Sequence, residues 1–241
     1  MSERYKDKPE ELTVLLNDLL TPLTNEIMDQ KGTIDKYMGD AIMAFWNAPV
    51  DVSNLPRIAC EAAINMMSAL EVLNQDLIGS GRIEDPLKIG IGLNTGDVTV
   101  GNLGSEQRFD YSCLGDAINL GARLEGLSKS YGVPIIIGEA THNSFDQPPG
   151  GAEMVLLDRV IVKGKTIPVA IYGIIPHENF ATNWCADHNA FMGLVGHESW
   201  VEAESALEQL KTLDNYPVEL LEQAVYRTEN KISQERQMTT K

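Results

Sequence analysis

Hydrophobic residues recur at helical spacing in two long segments of the first half of the chain. From about Pro9 to Lys31 they follow one another every three or four positions, and residues 56 to 77 repeat this period. Pro9 stands where a helix can begin, because proline is tolerated in a first helical turn. We therefore expect two amphipathic core helices in these segments.

Short β-prone runs lie after each of these helices. The runs GTIDKY and DAIMAFW flank Met38 and Gly39, where glycine permits a tight turn, so they predict a hairpin with Asp40 at its bend. The run LKIGIGLNTGDVTVGNLG divides at residues 94–97 and predicts a second hairpin. The run RFDYSCLG predicts a further strand beside it.

A third helix and the closing strands complete the main pattern. The segment DAINLGARLEGLSKSYG begins with Asp116, which can cap a helix, and ends in Gly132, which can terminate one. The runs VPIIIG, MVLLDRVIVKG and TIPVAIYGI predict strands. This order of elements favours an α+β fold in which helices pack over a largely antiparallel sheet.

The pattern changes after about Pro176. Apolar residues from Trp184 to Leu210, and then Leu220 and Val225, recur at helical spacing and predict two or three helices. We expect a main domain over residues 1–176 and a helical C-terminal extension over residues 177–241. The sequence leaves open whether these helices pack on the sheet, extend a dimer interface or form a single helical-repeat unit.

Composition narrows the function classes. The chain has 241 residues, of which 43% are hydrophobic and 22% charged, as in ordinary globular proteins. A net charge of −16 disfavours nucleic-acid binding, because phosphate backbones require a basic surface. Three cysteines without paired spacing favour a reducing compartment, and no run is long enough to span a membrane. We expect a cytoplasmic chain, or the cytosolic part of a membrane-anchored protein if its start is truncated.

Four motifs occur in a fixed order: GTIDKYMGDAIMAF at 32–45, KIGIGLNTGDVTVGNLG at 88–104, FDYSCLGDAINLGARLE at 109–125 and VKGK at 162–165. Together they resemble the catalytic domain of class III adenylate and guanylate cyclases, of the bacterial adenylate cyclase type. Four ordered motifs are far more specific than any single glycine pattern. The resemblance covers about residues 1–176 and implies a ferredoxin-like cyclase homology domain.

The reaction implied by this resemblance is the conversion of ATP to 3′,5′-cyclic AMP and pyrophosphate. The ribose 3′-hydroxyl attacks the α-phosphate, so charge on the phosphate must be neutralised. In the family two aspartates hold two Mg²⁺ or Mn²⁺ ions, and Asp40 matches the aspartate at the hairpin bend. The resemblance also implies a homodimer, in which Lys36 and Asn119 of one subunit face Asp40 of the other.

Two residues match the family's base-reading positions. Lys36 would donate to a purine ring nitrogen, and Ser112 would contact the exocyclic group. Lysine at this position implies adenine, because guanine-specific members usually carry Glu. Ser112 departs from the more common Asp and resembles a subgroup that carries Thr. Taken singly, Lys36 would be interpreted as a solvated strand lysine and Ser112 as a strand hydroxyl that is already hydrogen-bonded.

Three further residues match positions that hold the ribose and the phosphates. Asn119 and Arg123 are four positions apart and therefore share one helix face. By the resemblance, Asn119 positions the ribose, Arg123 stabilises the α-phosphate, and Lys163, favoured over Lys165, holds the terminal phosphates. The alternatives are a first-turn Asn, an Arg paired with a surface acid and a basic turn at a strand end.

Other polar residues are assigned no chemistry. Asp116 is expected to cap its helix, and Asp35 and Asp110 are expected to be solvated. The four histidines lack zinc-like spacing and are expected to be surface or packing residues.

The family's first metal-binding aspartate lies in a strand ahead of a segment that resembles MSERYKDKPEEL, where this chain starts. We expect either a truncated start, which the remaining site residues favour, or a degenerate domain. The alternative function is a catalytically impaired, cyclase-like dimerisation or nucleotide-binding signalling module. A diguanylate cyclase ranks last, because residues 38–42 lack its GG-D/E-EF bend.

Overall fold

A computed structural model describes residues 8–160, 168–176 and 183–239, with side chains described as far as residue 230. The helices are α1 Pro9–Asp29, α2 Leu55–Gly79, α3 Asp116–Tyr131, α4 Glu139–His142, α5 Cys185–Gly196, α6 Trp200–Leu210 and α7 Val218–Thr239. The strands are β1 Thr33–Met38, β2 Ala41–Phe45, β3 Ile91–Leu93, β4 Thr99–Gly104, β5 Phe109–Leu114, β6 Ile135–Gly138, β7 Glu153–Val160 and β8 Val169–Ile175. The predicted α+β class is confirmed.

The chain divides into two compact units. The first comprises residues 1–89 and 96–118, and the second comprises residues 90–95 and 119–241. This division does not follow the boundary that the sequence predicts at residue 176, which stays a prediction. No helix in the described part of the chain is both long and apolar enough to cross a membrane.

The first unit contains the two predicted amphipathic helices and the predicted hairpin. α1 packs against α2 and buries an apolar stripe in which each residue lies four positions after the last, Leu15, Leu19, Leu23 and Ile27. β1 and β2 pair antiparallel, with Met38 opposite Ala41. The two central residues of the bend are Gly39 and Asp40. The φ of 67° at Gly39 suits the first central position of a type II′ turn.

The second predicted hairpin is wrong. β3 pairs parallel with β6, whereas β4 pairs antiparallel with β5. The tight turn lies further along the chain than predicted, where the Ser105 amide donates to the Arg108 carbonyl and the Arg108 amide donates to the Ser105 hydroxyl. The segment after β3 is instead tied to α4 by a 2.9 Å hydrogen bond between the hydroxyls of Thr95 and Thr141.

The second unit is built on a four-stranded sheet with the order β3-β6-β8-β7. β3 and β6 are parallel, and the other two pairs are antiparallel. Every residue of β6 is buried, as its continuous apolar run predicts. The predicted third helix is confirmed as α3, and Gly132 follows it with a φ of 64°.

The C-terminal helices pack on this sheet, which is the first of the three arrangements left open by the sequence. Asn189 of α5 accepts a hydrogen bond from the Leu156 amide of β7 and donates one to the Met154 carbonyl. α6 packs against α5, and α7 packs against α6. The apolar cluster that results joins all three helices to α3 and the sheet, through Leu120, Leu124, Val155, Leu157, Trp184, Phe191, Leu207 and Leu220.

Candidate functional site

Ser112 and Lys36, which are far apart in the sequence, both contact the carboxylate of Asp35. Ser112 lies on β5, where it is 4% exposed, and its hydroxyl donates a 2.6 Å hydrogen bond to Asp35 Oδ2. Lys36 Nζ lies 3.3 Å from Asp35 Oδ1. This is an ion-pair distance, but Oδ1 receives no aligned hydrogen bond from any described residue. The two predicted base-reading residues are thus brought to one carboxylate.

The prediction that Asp35 is solvated is wrong. Its side chain has an exposed fraction of 0%, whereas that of Lys36 is 44%. The cause is a β-bulge: Ile34 pairs with Ala44 and Lys36 with Met43, so Asp35 is an extra residue without a partner on β2. A bulge changes the direction in which side chains leave a strand, and bulges are common beside functional sites.

The sequence contained a weak signal for this bulge. In a regular strand, apolar residues on one face are two positions apart, whereas Ile34 and Tyr37 in this run are three positions apart. This irregularity indicates an extra residue but does not identify its contacts, because Ser112 comes from a distant part of the chain.

The buried charge of Asp35 also acts on Cys113. Cys113 Sγ lies 4.0 Å from Asp35 Oδ2. Burial raises the pKa of the Cys113 thiol to about 11, and the negative charge of Asp35 contributes to this rise, while Lys36 opposes it. The thiol therefore stays protonated at neutral pH, which makes it a poor nucleophile.

Asp40 lies at the exposed bend of the β1–β2 hairpin. Its carboxylate is the kind of oxygen donor that Mg²⁺ and Mn²⁺ prefer. Mg²⁺ is commonly held by one or two carboxylates together with substrate phosphates and water, so Asp40 fits as one ligand of such an ion. Within residues 8–160, 168–176 and 183–239, no group of three or more His, Cys, Asp or Glu side chains forms a metal cluster.

Asn119 and Arg123 lie on α3 in the second unit, and both are exposed. They are four positions apart on a continuous helix and therefore share one face, as predicted. β3 packs closely against the middle of this helix, since Gly92 has no side chain to hold it away. Arg123, whose planar guanidinium suits multidonor contact with phosphate, thus lies exposed on a helix that packs against β3 on its opposite side.

The remaining predicted residues are placed as follows. Lys163 and Lys165 lie outside the described residues, so their roles stay predictions. Asp116 is the exposed first residue of α3, and Asp110 is exposed on β5. His188 is a buried packing residue of α5, in keeping with the expectation for the histidines.

The sequence matches a family model described as the adenylate and guanylate cyclase catalytic domain over residues 2–176. An adenylate cyclase of Anabaena cylindrica is 36% identical over 176 residues, which are 72% of this chain and 34% of that protein. Adenylate cyclase 1 of Rhizobium meliloti is 33% identical over 167 residues, which are 69% of this chain and 24% of that protein. The chain thus matches about a third or less of the length of these relatives.

Solved structures resemble the chain to a similar extent. The adenylyl cyclase CyaB from P. aeruginosa is 31% identical, with a TM-score of 0.61 over 69% of this chain and 83% of that chain. The guanylyl cyclase Cya2 is 32% identical, with a TM-score of 0.59 over 71% of this chain and 85% of that chain. One of these neighbours is an adenylyl cyclase and the other a guanylyl cyclase, so overall similarity does not distinguish adenine from guanine.

Proposed function

Because this chain belongs to the adenylate and guanylate cyclase catalytic-domain family, we propose that it acts on adenine: it is an adenylate cyclase domain that converts ATP to 3′,5′-cyclic AMP and pyrophosphate. The domain is proposed to comprise residues 1–176, with residues 177–241 as its helical extension. Its product serves intracellular signalling.

One observation carries the choice of adenine. Lys36 and Ser112, at the base-reading positions of the family, share the buried carboxylate of Asp35. Side chains that converge on one fixed group can contact neighbouring atoms of one ligand. The Lys36 ammonium has three donors and no acceptor, so it suits the N1 lone pair of adenine and not the N1–H of guanine.

The other residues act on the ribose and the phosphates. Asn119 holds the ribose, so that its 3′-hydroxyl is directed at the α-phosphate. Arg123 donates to the α-phosphate oxygens as negative charge grows on them in the transition state. Lys163 binds the terminal phosphates and thereby stabilises the pyrophosphate that leaves. These contacts lower the barrier by orientation and charge stabilisation.

Asp40 is the proposed ligand of a Mg²⁺ or Mn²⁺ ion. Such an ion, when bound, lowers the pKa of the 3′-hydroxyl and neutralises phosphate charge. We place Asp40 of one subunit opposite Lys36 and Asn119 of a second, so a homodimer has two equivalent sites. Because each site then needs two copies of the chain, specific activity rises with protein concentration until dimerisation is complete.

The test measures cyclic AMP and cyclic GMP formed from ATP and GTP with Mn²⁺. It compares the 241-residue chain, a version that carries the family's metal-binding strand ahead of Met1, and Asp40→Ala in the active version. Cyclic AMP formation that Asp40→Ala abolishes, and that rises with concentration, supports the proposal. A folded, dimeric version that makes neither product contradicts it and favours the signalling-module alternative.

A further inference from the structure

The hydrogen bond between Ser112 and Asp35 fixes the position of one proton. A serine hydroxyl has one hydrogen to donate and two lone pairs that accept. Ser112 donates its hydrogen to Asp35 Oδ2 over 2.6 Å, and an ionised carboxylate has no hydrogen to return. Ser112 can therefore offer a ligand only a hydrogen-bond acceptor.

Adenine and guanine differ in what they present to such an acceptor. Adenine carries an amino group at position 6, which donates, whereas guanine carries a carbonyl oxygen there, which accepts. Ser112 held by Asp35 matches the amino group of adenine and opposes the carbonyl of guanine. Lys36, whose Nζ pairs with the other oxygen of the same carboxylate, can only donate. It therefore matches the N1 lone pair of adenine and opposes the N1–H of guanine.

The surroundings of Asp35 keep this arrangement fixed. Its side chain is fully buried, and it occupies a bulge that β1 holds by pairing with β2 on either side of it. Ser112 is itself buried on β5, where it is paired with Gly101 of β4. Water therefore has little access to compete for the Ser112 hydrogen.

We propose that Asp35 is a specificity-determining positioning residue, which selects adenine by making Ser112 an obligate acceptor and by pairing with Lys36. This inference rests on the proposed adenylate cyclase function and extends it to a residue that does not itself contact the base. A polar group that meets the wrong partner at a buried contact loses its hydrogen bond. We therefore expect the Asp35 carboxylate to account for a preference for ATP over GTP of about tenfold or more.

The first test replaces Asp35 by its uncharged isostere in Asp35→Asn. The amide introduced by this substitution can donate to the Ser112 oxygen, which frees the hydroxyl hydrogen to donate to the carbonyl of guanine. Binding is measured by competition of ATP and of GTP against a methylanthraniloyl-ATP probe with Mn²⁺, and the kcat/KM ratio is measured alongside. We expect the preference for ATP over GTP to fall about tenfold. The matched control Asp110→Asn, at an exposed aspartate two residues before Ser112, leaves this ratio unchanged.

A second variant tests the route through Ser112, even if Asp35→Asn fails to fold. Ser112→Ala removes the acceptor, so it lowers the ATP preference by itself, and Asp35→Asn added to Ser112→Ala produces a smaller change than it does alone. An unchanged ATP preference in Ser112→Ala overturns the inference. A folded Asp35→Ala variant, in which no side-chain oxygen at this position can accept from Ser112, also overturns it if the wild-type ratio persists, but leaves the adenylate cyclase proposal standing. A wild-type chain without preference for ATP overturns both.

Discussion

A Cβ atom on Gly92 would collide with the carbonyl oxygen of Gly121. β3 and α3 therefore approach each other backbone to backbone, which only glycine at position 92 allows. The close approach lies beside the part of α3 that carries Asn119 and Arg123. One glycine on a strand thus sets how far from the sheet two predicted substrate-binding residues are held.

The first prediction is that Gly92→Ala displaces α3. The added methyl group requires a backbone shift, and overpacking of this kind costs about 1–3 kcal/mol of unfolding free energy. We also expect cyclase activity to fall, because Arg123 moves with the helix. Urea unfolding followed by tryptophan fluorescence measures the first effect, and product formation measures the second.

The control for this prediction lies on the same helix. A Cβ atom on Gly126 meets nothing within 4 Å, and its backbone is helical. Gly126→Ala should therefore raise the free energy of unfolding by up to about 1 kcal/mol, as expected for alanine in a helix. Equal effects of the two substitutions would show that β3 and α3 are not in such close contact.

The second prediction concerns the attachment of α7 to the sheet. Arg227 Nη1 donates a 2.8 Å hydrogen bond to the Leu157 carbonyl, and Nη2 lies 2.6 Å from Asp158 Oδ2, which also accepts a 2.7 Å hydrogen bond from the Tyr131 hydroxyl. The side chains of Arg227 and Asp158 are only 16% and 27% exposed. Arg227→Ala leaves this carboxylate half-buried without its cation, so we expect a loss of about 1–3 kcal/mol in urea unfolding.

Lys211 provides a matched ion pair in the same unit. Its Nζ lies 2.6 Å from Glu208 Oε1, but the two side chains are 40% and 66% exposed. Solvent weakens such a pair, so Lys211→Ala should cost no more than about 1 kcal/mol. If Arg227→Ala is no more harmful than Lys211→Ala, α7 is not held by its buried arginine.

The third prediction is a pH dependence that arises from His188. Its Nε2 lies 2.9 Å from the Leu156 carbonyl, which can only accept, so Nε2 carries the hydrogen and Nδ1 accepts from the Tyr216 hydroxyl over 2.6 Å. Burial lowers the pKa of His188 from 6.5 to about 4, and the positive charge of Arg227 contributes to this effect. The folded chain thus keeps His188 neutral over a range in which the unfolded chain protonates it.

The sign follows from this difference. Above about pH 6.5 the stability contributed by neutral His188 is fully present, and it is lost as the pH falls through the folded-state pKa of about 4. The total is on the order of 3 kcal/mol. Urea unfolding between pH 7.5 and 4.5 should show a smaller loss in His188→Gln than in wild type, whereas His197→Gln, at an exposed histidine, should match wild type. Equal losses in His188→Gln and wild type would contradict this account.

The sequence predicted the elements that local patterns define. The ends of α1 and α3 and the bend at Asp40 follow from proline, glycine and helical periodicity, which act within a few residues. Pairing between distant segments was harder to predict. The run at 88–104 contains two turn-forming glycines, and nothing within it indicates that β3 pairs with β6 and that β4 pairs with β5.

The same limit applied to the candidate site. Motif order placed Lys36, Asp40 and Ser112, but each was assigned by family position and not by its contacts. The burial of Asp35 depends on the bulge in β1 and on a hydroxyl that comes from β5. An aspartate in a strand beside a lysine is normally solvated, so local reasoning gave the wrong environment for this carboxylate.

The fourth prediction reverses the charge at the base-reading lysine. In Lys36→Glu, a carboxylate replaces the ammonium group that is proposed to face adenine N1. This carboxylate also lies beside the buried negative charge of Asp35, whose Oδ1 is 3.3 Å from Lys36 Nζ in the wild type. The introduced carboxylate and adenine N1 are then both acceptors, so no hydrogen bond forms between them. We expect kcat/KM for ATP to fall about 100-fold, and the GTP reaction to gain in relative terms because Glu can accept from guanine N1–H.

The measurement for Lys36→Glu is kcat/KM for ATP and GTP with Mn²⁺, together with circular dichroism to confirm folding. Lys88→Glu makes the same charge change at an exposed lysine of the first unit, and it should leave the ratio of the two substrates unaltered. If added negative charge on a chain of net charge −16 acted only in a general way, kcat/KM would fall equally for ATP and GTP in both variants. A change in base preference confined to Lys36→Glu therefore identifies Lys36 as a reader of the purine, whereas unchanged ATP turnover in this variant removes the basis for assigning adenine.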